Sequence, residues 1–77
     1  MPRTTIVVNA ARDNAAGVWF VESSDLPGLN VEAATLDELV EIVSDVAPDL
    51  MATNMPEVRE AVLRVEHVVI AGPAHAA

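Results

Sequence analysis

The residues that decide the fold are TLDELVEIVSDVAPDLM, at positions 35–51. Thr35 and Glu38 form a capping box, in which each side chain accepts a hydrogen bond from a free N–H group of the first helical turn. Apolar residues then recur at i, i+3, i+4 and i+7, the pattern of an amphipathic helix that packs on a core. They are Leu36, Leu39, Val40, Val43, Val46, Ala47, Leu50 and Met51. This segment predicts a helix over residues 36–51.

Pro48 interrupts this helical pattern. Proline lacks an N–H group, and its ring crowds the carbonyl group four residues earlier, here that of Ser44. We therefore expect either a kink or a break near Ala47, with a short second helix that begins at Pro48. The helical region should end within residues 54–56.

Turn signals divide the rest of the chain into four predicted strands. Residues 4–11 and 18–22 form the first two, joined by a polar turn at 12–17. The sequence Asp-Leu-Pro-Gly at 25–28 is a turn, because proline presets φ and glycine supplies a positive φ. A short third strand follows at 29–33, antiparallel to the second. Residues 61–70 form the fourth strand, which ends before Gly72 and Pro73.

The element order β-β-β-α-β predicts an α+β fold. The helix serves as the crossover that brings the fourth strand parallel to the first, so the mixed four-stranded sheet has the order 3-2-1-4 with the helix on one face. We expect a single domain over residues 1–77, with an ordered core at about 3–71 and a frayed tail at 72–77. Every strand carries apolar residues on both sides, so the sheet face without a helix should expose an apolar patch.

Composition excludes several classes of function. The 77 residues are 52% hydrophobic and carry a formal net charge of −8, with four Arg, no Lys and no Cys. The hydrophobic content argues against disorder, and no apolar run reaches the ~20 residues of a membrane helix. Direct nucleic-acid binding needs clustered basic residues, which are missing here. The lack of cysteine is typical of a cytoplasmic protein.

The acidic residues invite a hypothesis of metal or acid–base chemistry. Glu38, Glu41 and Asp45 share one helix face, but that face lies opposite the apolar stripe and should point to water. His67 and His75 have no recognised metal-ligand spacing and are expected to have structural or surface roles. No Gly-x-Ser-x-Gly motif or phosphate-binding glycine loop is present. We expect no catalytic residue, metal or cofactor.

The stretch DLPGL at 25–29, followed by EAATLDEL at 32–39, resembles the HicB-like antitoxin family. It is most similar to a compact group of uncharacterised HicB-like proteins, and the motifs cover residues 18–39. The resemblance implies a partial ribonuclease H-like fold that neutralises a small basic ribonuclease toxin of the HicA type. The strand that would bear a ribonuclease H carboxylate, at 5–11, has none. Nuclease activity is therefore not implied.

These observations lead us to expect an antitoxin-type protein-binding module that forms a homodimer or larger oligomer. The expected surface for a basic partner is the acidic side of the helix, formed by Asp37, Glu38, Glu41, Asp45 and Asp49. The expected oligomer contacts, on the sheet face or edge that the helix leaves uncovered, are Trp19, Arg64 and Glu66. One alternative is a stand-alone homo-oligomeric structural or regulatory domain without a toxin partner. A third hypothesis is a small carboxylate-dependent hydrolase.

Overall fold

A computed structural model describes residues 3–73 of the protein. Residues 74–77 of the expected tail, which include His75, lie outside the described residues. The elements are β1 (Thr4–Asp13), β2 (Val18–Ser24), β3 (Glu32–Ala33), α1 (Leu36–Asn54) and β4 (Ala61–Glu66). The predicted α+β class and the order β-β-β-α-β are therefore confirmed.

The four strands form one mixed sheet in the order β3-β2-β1-β4. β2 is antiparallel to both β1 and β3, and β4 is parallel to β1. The predicted strand order and the parallel placement of the fourth strand are confirmed. β1 lies inside the sheet, whereas β4 and the very short β3 form its two edges.

The core lies between one face of the sheet and α1. Alternate side chains of β1 and every fourth residue of α1 point into the core, because side chains repeat about every two residues along a strand and every 3.6 residues along a helix. Burial of the large aliphatic side chains should contribute about 1.5–3 kcal/mol each. The buried residues are Ile6, Val8, Ala10, Leu26, Leu29, Ala33, Leu39, Val43 and Ala47, with Leu50 half-buried against them.

The Thr35 half of the predicted capping box starts α1. The Glu38 N–H donates to the Thr35 hydroxyl at 3.1 Å, and the Leu39 N–H donates to the Thr35 carbonyl at 3.0 Å. The helix then continues through the exposed Pro48 to Asn54, so the predicted break near Ala47 is wrong. Apolar residues on both sides of the proline pack on the sheet and hold the helix together. Within residues 3–73, no helix is long and apolar enough to cross a membrane.

Two strands are shorter than the sequence predicts. The third strand covers Glu32–Ala33 rather than 29–33, because the preceding residues form a turn in which Gly28 has a φ of +82° and Leu29 is buried. The fourth strand ends at Glu66 rather than at residue 70. The first two strands extend slightly beyond their predicted ends.

A β-bulge changes which side chains of β2 face the core. Asn9 pairs with Ser23 and Ala10 pairs with Val21, so Glu22 is left as the extra residue. Residues on either side of a bulge no longer follow the simple alternation of a strand. As a result, both Val21 and Ser24 lie opposite core-facing residues of β1.

Candidate protein-binding surfaces

The five acidic residues predicted to bind a partner form one continuous surface on α1. We call Asp37, Glu38, Glu41, Asp45 and Asp49 the acidic row, and all five are exposed. At 3.6 residues per turn they fall within an arc of about 120°. The buried helix residues, Leu39, Val43 and Ala47, lie on the opposite side. The packing of α1 therefore determines that the acidic row faces solvent.

The charges of the acidic row are not balanced by nearby arginines. The ion pairs among residues 3–73 join Arg3 to Glu60 and Arg64 to Glu66, and none includes a residue of the acidic row. The last turn of α1 also lacks a basic residue. A strip of uncompensated carboxylates creates a local negative potential that attracts cationic groups.

The spacing of the acidic row makes the helix less stable than it could be. Asp37, Glu41, Asp45 and Asp49 follow one another at intervals of four residues. Like charges at this spacing destabilise a helix by roughly 0.2–0.5 kcal/mol for each pair. Three successive repulsive pairs thus oppose the favourable placement of Asp37 and Glu38 at the helix N-terminus.

The described carboxylates do not form a candidate metal centre. Within the part of the chain that the structure describes, no group of three or more His, Asp or Glu side chains converges to hold a metal ion. A depression of about 430 Å³ lies beside the C-terminal half of α1, and no residue of the acidic row lines it. Its lining is mostly apolar and comprises Pro48, Met51, Ala52, Pro56, Val58, Arg59, Glu60 and Ala61.

The structure brings Arg64 and Glu66 together but places Trp19 on the other face of the sheet. Arg64 Nε lies 3.5 Å from Glu66 Oε1 on the face that α1 leaves uncovered. Trp19 lies opposite Ala33 and packs against the core, so its expected position on the uncovered face is wrong. Trp19 lies on the hairpin side of the bulge and pairs with Arg12, which follows the buried Ala10 by two residues and therefore lies on the same, helix-covered face. The apolar residues on both sides of β2 gave no signal for this choice of face.

His67 has a structural contact that agrees with its predicted role. Its Nδ1 atom lies 3.0 Å from the carbonyl oxygen of Ala10, and because a carbonyl only accepts, Nδ1 carries the proton. The His67 ring also meets Trp19 edge-to-face, with ring centroids 4.9 Å apart and an interplanar angle of 82°. These contacts fix the chain just beyond the end of β4.

An exposed apolar segment, which the sequence did not predict as exposed, follows His67. Val68, Val69 and Ile70 are 69%, 70% and 97% exposed, although the sequence predicts them as part of the fourth strand. A run of β-branched residues is the sequence signal for this segment. The sequence did not show that, in the described sheet, no strand lies beside this segment.

Together these features define a small α+β domain whose described residues expose an acidic row on a helix and an apolar segment beside a sheet edge. Residues 5–71 match a family described as a domain of unknown function (DUF1902), and the chain belongs to this family. The crystal structure of hypothetical protein TTHA1013 from the extremely thermophilic bacterium Thermus thermophilus is similar, with 39% sequence identity and a TM-score of 0.80. The match covers 88% of this chain and 97% of that chain. A search of curated proteins gives no significant match.

Proposed function

We propose that the protein is an antitoxin-type binding module that neutralises a small basic ribonuclease and catalyses no reaction itself. The observation that carries this proposal is the acidic row, whose five exposed carboxylates have no arginine partner among residues 3–73. A ribonuclease needs a basic surface to attract RNA phosphates. The acidic row can compete for that surface because it presents a comparable line of negative charge.

Two further observations support a basic partner. The net charge of −8 gives the whole molecule the sign that attracts such a protein. The repulsive spacing of the row also reduces helix stability, and a bound cationic surface would remove that repulsion. The resemblance to HicB-like antitoxins, through the turn at 25–28 and the helix start at 35–38, implies that this partner is a HicA-type ribonuclease.

We assign the protein to the cytoplasm because it has no cysteine.

Affinity capture from an extract of the native host tests this function. We would immobilise the parent protein and the double variant Glu41→Lys/Asp45→Lys, then identify retained proteins by mass. A matched control, Glu22→Lys/Glu57→Lys, makes the same change in net charge at exposed positions outside the acidic row. The parent and the control should retain a small basic protein at low salt, and the acidic-row variant should not.

The captured protein is then assayed for RNA cleavage with and without the added parent protein. Suppression of cleavage by the parent, with weaker suppression by the acidic-row variant, is the expected result. Higher salt should release the partner, because the screening length falls below ~8 Å above physiological ionic strength. Retention of no basic ribonuclease at low salt, or equal retention by all three proteins, would contradict the proposal.

We also propose that the protein forms a homo-oligomer. Support comes from Val68–Ile70, three apolar residues that are at least 69% exposed at the end of an edge strand. Edge strands with exposed apolar residues readily pair with another chain. Self-association without a toxin partner is the alternative function, a stand-alone structural or regulatory domain. The capture experiment separates the two functions, since only the antitoxin retains a basic ribonuclease.

A further inference from the structure

β4 has an unpaired outer side that continues into the exposed apolar segment. In the described sheet β4 pairs with β1 on one side only. Val62, in β4, is 43% exposed, and the residues that follow β4 include Val68, which is 69% exposed. Side chains alternate between the two faces of a strand, and Val62 and Val68 are an even number of residues apart. An extension of β4 through residue 70 would therefore place both side chains on the uncovered face. This edge therefore has both free backbone groups and apolar side chains available to a neighbouring strand.

We propose that two copies of the protein pair antiparallel through β4, around a two-fold axis at Val65. The pairing joins the two four-stranded sheets edge to edge and extends β4 to include residues 67–70. This proposal specifies the interface of the self-association proposed above, and it does not depend on the basic partner. The occupant of the edge is a second copy because the sequence of this edge is complementary to itself.

The charges of β4 select this axis over its neighbours. With the axis at Val65, Arg64 lies directly opposite the partner's Glu66, and Glu66 lies opposite the partner's Arg64. An axis one residue earlier would place the two Arg64 side chains against each other. An axis one residue later would oppose the two Glu66 side chains. Opposite charges stabilise a directly opposed pair and like charges destabilise it. Of these three axes, only the one at Val65 places both Arg64 and Glu66 opposite a residue of opposite charge.

The apolar residues match in the same register. Val62 lies opposite the partner's Val68, so the most exposed valine of β4 meets an exposed valine of the segment that follows it. On the helix-covered face, Ala61 lies opposite the partner's Val69. Each dimer contains both pairs twice, because a two-fold interface repeats every contact. Pairing thus removes from water apolar side chains that the single chain leaves exposed.

The four central charges form a closed group on the uncovered face. Within one chain, Arg64 Nε and Glu66 Oε1 are already 3.5 Å apart, and their side chains are 64% and 39% exposed. In the dimer, the Arg64–Glu66 pairs of the two copies lie side by side in opposite directions. The four charges around the axis therefore alternate between positive and negative. Charged residues on an edge strand commonly prevent pairing. Here their signs oppose each other across the axis and favour pairing instead.

Sedimentation with charge exchange tests the interface. The parent should sediment at twice 8.1 kDa at high micromolar concentration. Arg64→Glu and Glu66→Arg should each weaken dimerisation about tenfold or more, because each opposes like charges twice. The double variant Arg64→Glu/Glu66→Arg restores opposite signs and should restore the dimer. Glu22→Arg is the control, with the same charge change as Glu66→Arg at an exposed position in β2; it should leave the dimer intact.

Cysteine cross-linking tests the register independently. The protein has no cysteine, so an equal mixture of Val62→Cys and Val68→Cys proteins carries one thiol on each chain. Opposed residues of an antiparallel pair lie close enough for a disulfide. The mixture should form a disulfide-linked heterodimer under mild oxidation, and neither variant should cross-link efficiently alone.

The outcomes distinguish the interface from self-association in general. A parent protein that remains at 8.1 kDa overturns both proposals. A dimer that persists in both single charge variants, or that gives no excess of the mixed disulfide, overturns pairing through β4 but leaves self-association standing. Loss of the dimer in the single variants, recovery in the double variant and preferential cross-linking of the mixture support the interface.

Discussion

Asp25 and Val7 exchange two hydrogen bonds at the point where β2 ends. The Val7 N–H donates to Asp25 Oδ2 at 2.9 Å, and the Asp25 N–H donates to the Val7 carbonyl oxygen at 3.0 Å. The carboxylate takes the position that a backbone carbonyl would occupy in the ladder after the pair of Val8 and Ser24. The backbone is therefore free to turn, and Leu26 enters the core. In the Asp-Leu-Pro-Gly turn, the aspartate thus has a structural role.

Removal of the Asp25 carboxylate should destabilise the protein. We expect Asp25→Ala to lower the free energy of unfolding by about 1–2 kcal/mol, because the Val7 N–H loses a charged acceptor at a sheet position. Asp25→Asn keeps an oxygen in the same place and should recover part of that loss. Urea unfolding of the three proteins measures both effects. Equal stability of Asp25→Ala and the parent would contradict this role.

Gly28 should not tolerate a side chain. Its φ of +82° is a left-handed conformation, and an added Cβ would lie 3.4 Å from the Leu50 side chain. The backbone strain alone should lower the free energy of unfolding by about 1–2 kcal/mol in Gly28→Ala. Gly72→Ala is the matched control, because no atom lies within 4 Å of its added Cβ and its φ is not in the left-handed region. Thermal unfolding should separate the two variants clearly.

The helix shows how far the sequence predicts this fold. The capping residues and the apolar periodicity predicted where α1 begins and which face it buries, because both depend on residues close together in the chain. Pro48 led us to expect a kink or a break, and the break does not occur. The cost of a proline is local, whereas the packing that holds the helix around it involves residues distant in sequence.

The strand faces could not be predicted in the same way. Strands with apolar residues on both sides give no period-two signal, so alternation did not show which side of β2 meets the helix. A bulge at Glu22 then shifts the alternation, and it is defined by pairing with β1 rather than by the sequence of β2. The position of Trp19 was wrong because the sequence of β2 did not show which of its sides meets the helix. The acidic row was predictable because its residues share one helix.

Leu39 should be essential to the core, and its neighbour provides the control. Leu39 is fully buried, whereas Val40 is 38% exposed. A domain of this size has a stability of about 4–12 kcal/mol. Leu39→Ala should lower the free energy of unfolding by about 2–5 kcal/mol. Leu39→Asp should unfold the protein, because it buries a charge without a partner. Val40→Asp should remain folded in circular dichroism. A folded Leu39→Asp protein with an unchanged melting temperature would contradict the packing of α1.

Replacement of Pro48 should stabilise the protein. Pro48 is exposed and lies inside a continuous helix, where it cannot donate the hydrogen bond to the carbonyl group of Ser44. Pro48→Ala restores that donor and removes the ring, so we expect the free energy of unfolding to rise by about 1–3 kcal/mol. Ala52→Pro, one turn further along, serves as the reverse control and should lower it. A Pro48→Ala protein that is less stable than the parent would show that the surrounding packing depends on the proline.

The acidic row should lower the free energy of unfolding of the protein without a partner. Glu41 lies four residues from both Asp37 and Asp45, so Glu41→Lys converts two repulsive contacts into attractive ones. We expect the free energy of unfolding to rise by about 0.5–1.5 kcal/mol at low salt. Glu41→Gln removes only the repulsion and should give roughly half of that gain. Both gains should shrink in 1 M salt, where the screening length is ~3 Å.

If Glu41→Lys leaves the urea midpoint unchanged at low salt, the acidic row imposes no electrostatic cost on the helix. A gain that disappears with salt would instead show that the free protein carries unfavourable charge which a cationic partner can relieve.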